Sequence, residues 1–126
     1  MKMGIAALIL LTSIITILII FNTSLNNTST EITENLNNAR EYINSGEYEN
    51  AINEYNKAAD KWNKREKFYG LLIESAKLNE IKSAFIQGKL LYSEGRTDEF
   101  IINKGTLIFL LENLASENKL NYETIF

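Results

Sequence analysis

Residues 4–21 carry no charged side chain, and only Thr12, Ser13 and Thr16 interrupt a run dominated by Ile and Leu. As a helix rising about 1.5 Å per residue, this run spans roughly 27 Å, close to the ~30 Å hydrocarbon core of a bilayer. The length predicts a transmembrane anchor over residues 1–21. A cleaved signal peptide is the competing reading, because Lys2 precedes an apolar N-terminal stretch. Against it, the run exceeds a normal signal core, and Asn22-Thr23-Ser24-Leu25 offers no small-residue cleavage site. With no Cys in the chain, a lipoprotein anchor is excluded. Lys2 lies before the span and the next basic residue is Arg40, so the positive-inside rule places the N-terminus in the cytoplasm and the remainder outside.

Residues 22–30 are rich in Asn, Ser and Thr, whose short side chains compete with helical hydrogen bonds, so this stretch reads as a polar tether. Residues 31–126 then form one extracytoplasmic domain, a size that supports a single core. Its apolar pattern is helical throughout and no alternating run supports a strand. Ile32, Leu36, Ala39 and Ile43 make one stripe over residues 31–45, and Gly46 supplies the left-handed stop. Ala51, Ile52, Tyr55, Ala58, Ala59 and Trp62 mark a second helix. Leu71, Leu72, Leu78, Ile81, Phe85, Leu91 and Tyr92 mark a third, ending near Gly95, with a turn expected at residues 64–70. Thr97 or Asp98 caps a fourth, carrying Phe100, Ile101, Lys104, Leu107, Ile108, Leu111 and Leu114, and Asn121 starts a last short turn. The expected fold is all-α: a single N-terminal transmembrane helix followed by a small antiparallel four-helix domain.

The chain has no His, no Cys and no Pro. Missing His and Cys remove thiol nucleophiles, Ser-His-Asp and Cys-His triads and the usual zinc sites. No disulfide can form, so packing alone holds the domain. Ser116-Glu117-Asn118-Lys119 has the S-x-x-K spacing of penicillin-recognising enzymes, but neither companion motif is present, and the tetrad reads as a helix C-terminal turn. Glu31 with Glu34, and Asp98 with Glu99, fall where acidic residues favour the start of a helix, a better account than paired-carboxylate catalysis. No EF-hand, Walker or dinucleotide-binding glycine pattern occurs. These readings predict a chain that is not an enzyme, with no catalytic residue, no metal and no cofactor.

On a chain of net charge −3, Lys57, Lys61, Lys64 and Arg65 share one helix face. A solvated face is the commoner meaning of such a stripe. Its functional alternative is binding of lipid head groups or an anionic cell-wall polymer near the membrane. Nucleic acid is not expected for an acidic domain outside the cell.

The hairpin NAREYINSGEYENAINEYNKAADKW, residues 38–62, resembles one tetratricopeptide repeat: Ala39 and Tyr42 on its first helix, then Gly46, Tyr48, Ala51, Tyr55 and Ala58. The match stops at Asn63, where the repeat carries Pro, and a second, weaker hairpin at Gly95 lies 49 residues beyond Gly46, against a repeat period of about 34. Over its whole length the chain resembles a family of bacterial proteins known only as domain of unknown function 4363, on the apolar N-terminus, Gly46 to Ala51, Trp62, residues 71–85, Leu110 to Leu114 and the Ile125-Phe126 ending. The resemblance implies a small membrane-anchored helical protein of low-GC Gram-positive bacteria. Relatives carry His and further acidic residues where this chain has Ser75, Ala76, Lys77 and Asn79, leaving Glu74 and Glu80, so it implies no activity here. The expected function is a non-enzymatic module held in the bilayer by its N-terminal helix and docking an envelope protein, with Tyr42, Tyr48, Tyr55, Lys57, Lys61, Lys64 and Arg65 as the candidate surface. The alternative is an accessory or sensor domain that binds a small ligand, a lipid head group or an anionic polymer.

Overall fold

A computed structural model describes residues 2–125, and side chains as far as Glu117. Four helices follow one another: α1 Lys2–Asn44, α2 Tyr48–Tyr69, α3 Ser75–Ser93 and α4 Thr97–Ile125, with no strand among the described residues. α1 packs against both α2 and α4, α3 packs chiefly against α4, and α2 and α3 touch least. The all-α, four-helix expectation therefore holds, with one change. The first domain helix is not a separate element but the continuation of the apolar N-terminal stretch.

The tether expected over residues 22–30 is helical and packed. α1 runs unbroken through it, with Phe21, Leu25, Thr28 and Ser29 buried above the next members of the same stripe, Ile32, Leu36, Ala39 and Ile43. The local preference of Asn, Ser and Thr for non-helical backbone is small, and tertiary packing of an amphipathic face overrides it. The apolar stretch below Phe21 has a mean hydropathy of 2.8 and is almost wholly unburied, so α1 is long and apolar enough there to cross a membrane. Glu31 and Glu34, expected in a first helical turn, lie in mid-helix.

Both hairpin tips use one device. The Gly46 N–H donates to the Ile43 carbonyl and the Glu47 N–H to Tyr42; likewise Gly95 donates to Tyr92 and Arg96 to Leu91. With φ of 78° at Gly46 and 74° at Gly95, each is a Schellman stop at a backbone conformation that a side chain would strain. The boundary between α2 and α3 falls later than the expected 64–70. α2 continues to Tyr69, and residues 70–74 turn the chain, so Leu71 and Leu72 lie in the turn rather than on the stripe of α3. Asp98 and Glu99 do sit in the first turn of α4. Ser116 is inside α4, which shows no break at Asn121; the side chains of Asn118, Lys119 and Tyr122 lie outside the described set.

Trp62, Tyr55, Tyr69 and Phe100 are the largest fully buried side chains. Tyr55 joins three helices: its ring meets Phe85 of α3 at 5.8 Å and Phe100 of α4 at 5.0 Å, and its hydroxyl donates to the Phe85 carbonyl at 2.7 Å. Asn103 of α4 donates to the Ala84 carbonyl at 3.1 Å. Both polar groups fit because Gly88 has no side chain there: a Cβ on it would lie 2.1 Å from the Tyr55 hydroxyl and 2.4 Å from Asn103 Oδ1.

Candidate interaction surfaces

The basic face of α2 is turned largely inward along α1. The Tyr69 hydroxyl lies 2.6 Å from Thr28 Oγ1 and 3.1 Å from Ser24 Oγ, and donates to the Ser24 carbonyl at 3.2 Å. One turn back, Arg65 Nη1 donates to Thr28 Oγ1 at 2.6 Å and to Glu31 Oε2 at 3.0 Å. Another turn back, Lys61 donates to Asn35 Oδ1 at 2.7 Å, while Asn35 Nδ2 donates to Glu54 Oε2 at 2.8 Å. Lys57 closes the line on Glu54 Oε1 at 3.0 Å. Ser24, Thr28, Glu31 and Asn35, at helical spacing, thus form a ladder against Glu54, Lys57, Lys61, Arg65 and Tyr69. The hydrogen bond from Asn35, with Lys57 adding to it, holds the Glu54 carboxyl below its ordinary range.

Such half-exposed pairs stabilise by little, about 0–1 kcal/mol each. The seam's stronger consequence is register: one residue of slip would separate every α1–α2 pair and bury Thr28 without a partner. Of the four stripe residues, Lys61 and Arg65 are therefore engaged within the hairpin, Lys57 serves α2 itself, and Lys64 points to solvent. A free basic strip four residues long is not what the fold presents. Ser24, Thr28, Glu31 and Asn35 repeat at the period of the apolar stripe beside them, so the polar face is visible in the chain, although its partners on α2 are not.

The tyrosines divide similarly. Tyr55 is core, not surface, and burial pushes its phenol well above the ordinary range. Tyr42 is half-buried against the core. Tyr48 is exposed at the tip of the bundle farthest from the apolar stretch of α1, where its carbonyl accepts a hydrogen bond from Tyr92 at 2.5 Å and so ties the two hairpin tips together. Trp62 is fully enclosed, its indole 5.7 Å from the Tyr69 ring, and its Nε1 has no partner among the described residues.

Because α2 and α3 touch least of the packed helix pairs, a solvent-open groove of about 510 Å³ runs between them beside Tyr55. Ala59, Phe85 and Ile86 provide its apolar floor and wall, Lys82 and Lys89 edge the α3 side, and Asn56, Asp60 and Asn63 the α2 side. Ile86 is 62% exposed and continues into Leu90, one turn on. Sequence reading placed neither residue on a surface. On the opposite side of the bundle, Lys104 occupies the apolar stripe of α4, buried, with Nζ donating to Asn37 Oδ1 at 3.0 Å. Burial, then the nearby Arg40, lowers its pKa. Among the described residues, no group of three His, Cys, Asp or Glu side chains is placed to hold a metal.

The profile of a family described as a domain of unknown function, DUF4363, matches residues 19–125. No curated protein and no solved structure matches the chain. The matched region begins inside α1, three residues before Asn22, and takes in the whole bundle.

Proposed function

We propose that this chain, which belongs to the DUF4363 family, is a non-enzymatic, single-pass membrane module that holds a rigid helical bundle against the outer face of the cytoplasmic membrane and offers the α2/α3 groove to an envelope protein. The observation that carries this reading is the unbroken course of α1. An exposed apolar stretch leads without a break into a helix that forms part of the core. A secretory signal cut near residues 21–25 would sever that helix beneath the rings of Phe68 and Tyr69, which hold Phe21 at 5.6 and 5.7 Å. An uncleaved anchor keeps this packing. The arrangement of Lys2 and Arg40 supports the cytoplasmic N-terminus.

With no flexible linker between span and bundle, the surfaces of the bundle keep a fixed height and direction over the bilayer. That suits docking a partner better than reaching for one. The groove is a shallow trough between two helices rather than an enclosed cavity, which supports a helix-in-groove partner over a small ligand. Lys82 and Lys89, seven residues apart on α3, call for a partner helix with acidic residues flanking an apolar strip. A photo-reactive residue at Ile86, in the full chain in native membranes, is expected to cross-link to one protein, and Lys82→Glu with Lys89→Glu to abolish that product. A cross-link indifferent to charge reversal, or none at Ile86 above that at Phe109 on α4, overturns the assignment of the groove.

A further inference from the structure

The bundle has a second exposed apolar surface, at the end of α2 nearest the apolar stretch of α1. Phe68 is 38% exposed, Leu71 75% and Leu72 52%. Resting on the reading of α1 as an anchor, we propose that the α2–α3 turn is a membrane-docking loop, whose Phe68, Leu71 and Leu72 enter the interface of the bilayer that α1 crosses.

Height fixes the occupant. α1 and α2 are antiparallel, with Tyr69 level with Ser24 and Thr28, and Arg65 level with Thr28 and Glu31. The ring of Phe21, last residue of the apolar run, touches Phe68 and Tyr69. α2 descends toward the span, so the two or three residues after Tyr69 stand level with the point where α1 emerges from hydrocarbon. A side chain there meets head groups and upper acyl chains, the layer that favours aromatic rings and tolerates shallow leucines. The turn's backbone also suits that layer. The N–H groups of Gly70, Leu71, Leu72 and Ile73 donate to the carbonyls of Glu66, Phe68, Tyr69 and Tyr69 at 2.9–3.3 Å, so these four donors, Leu71 and Leu72 included, enter already paired. Ile73, buried, pins the turn to the core. Lys64 and Lys67, exposed on the last turns of α2 beside Phe68, meet anionic head groups. Docking would complete a two-point attachment and fix the bundle's rotation about α1 as well as its height.

The absence of native Cys makes single nitroxide labels clean reporters. The full chain, labelled in turn through Ile9→Cys, Leu71→Cys, Leu72→Cys and Leu90→Cys, is placed in vesicles of phosphatidylethanolamine and phosphatidylglycerol. Collision with oxygen, enriched in lipid, is compared with collision with a water-soluble nickel chelate on both sides. Leu90 lies 15 residues along α3 from Ser75, about 22 Å farther from the membrane. Labels at positions 71 and 72 are expected to show an oxygen-to-nickel ratio several-fold above that at 90 and approaching that at 9. If 71 and 72 match 90 while 9 remains lipid-like, the anchor stands and the docking loop is overturned. If 9 is itself open to nickel, the anchor reading falls and docking with it. Dipolar broadening between labels at 71 would put a second copy of the chain on the loop and likewise overturn the proposal.

Discussion

Replacing Gly88 by Ala is expected to lower the stability of the bundle by about 3 kcal/mol, the upper range for forcing an extra methyl into a packed core. The added Cβ would sit 2.1 Å from the Tyr55 hydroxyl, 2.4 Å from Asn103 Oδ1 and 2.9 Å from Tyr55 Cζ. None of these is the free end of a flexible side chain, since Tyr55 is wedged between Phe85 and Phe100 and Asn103 is held on the Ala84 carbonyl. Relief requires moving α3 away from α2 and α4, which breaks the Tyr55 hydrogen bond to Phe85 and leaves a buried hydroxyl unpaired. For a domain of about 100 residues, a loss of this size corresponds to roughly 12–24 °C in melting temperature. The same substitution at Gly105, a helical glycine with open space around its Cβ position, should stabilise by about 0.5–1 kcal/mol. Thermal melts of the detergent-solubilised chain would show both signs. Equal effects at the two glycines would mean that the three-helix junction at Tyr55 is not packed as described. Because that junction ties α2 to α3 beside the groove, its loss should also widen the groove and weaken cross-linking at Ile86.

Trp62→Ala is expected to cost about 3–5 kcal/mol, a large share of the ~5–15 kcal/mol that holds a domain of ordinary stability. The indole is wholly enclosed and braced against Tyr69, which in turn carries Phe21 and the ladder to Ser24 and Thr28. A cavity at Trp62 therefore loosens the attachment of α2 to the part of α1 that follows its apolar stretch. Trp62→Phe should be far milder, within about 1.5 kcal/mol. It removes part of the ring volume but also deletes an indole N–H that has no partner among the described residues. Urea denaturation followed by circular dichroism separates the two, with the Ala variant showing a much lower midpoint and the Phe variant one near the parent's. A Phe variant as damaged as the Ala variant would indicate that the indole nitrogen makes a bond essential to the fold.

Which parts of this fold were legible depended on whether local and tertiary signals agreed. They agreed at Gly46 and Gly95, where a small residue follows an apolar stripe and both helices stop in the same Schellman geometry. They conflicted over residues 22–30. Composition argued for a tether there, yet Phe21, Leu25, Thr28 and Ile32 continue the stripe of Leu36, Ala39 and Ile43 at steps of four and three, with one threonine in an apolar place. That threonine is buried because Tyr69 and Arg65 supply its hydrogen bonds from 37 or more residues away in sequence, a pairing no local pattern announces. For the same reason the basic stripe was read as a surface: periodicity locates a face of α2 but does not say what lies against it. Lys104 is the converse case. Its position in the stripe of α4 was apparent, and the Asn37 amide lets an ammonium stay there. Tyr55 was assigned to a surface by likeness to a repeat, whereas Gly88 gives its hydroxyl a place in the core.

The central claim is that one uninterrupted helix serves as both membrane span and core element. Intact mass of the native protein recovered from alkaline-washed membranes tests it most directly. The account predicts the full 14.4 kDa chain in the membrane pellet, with residues 1–21 still attached. A chain shortened at residues 21–25 and released into the soluble fraction would contradict it, because α1 would then end where the account requires it to continue.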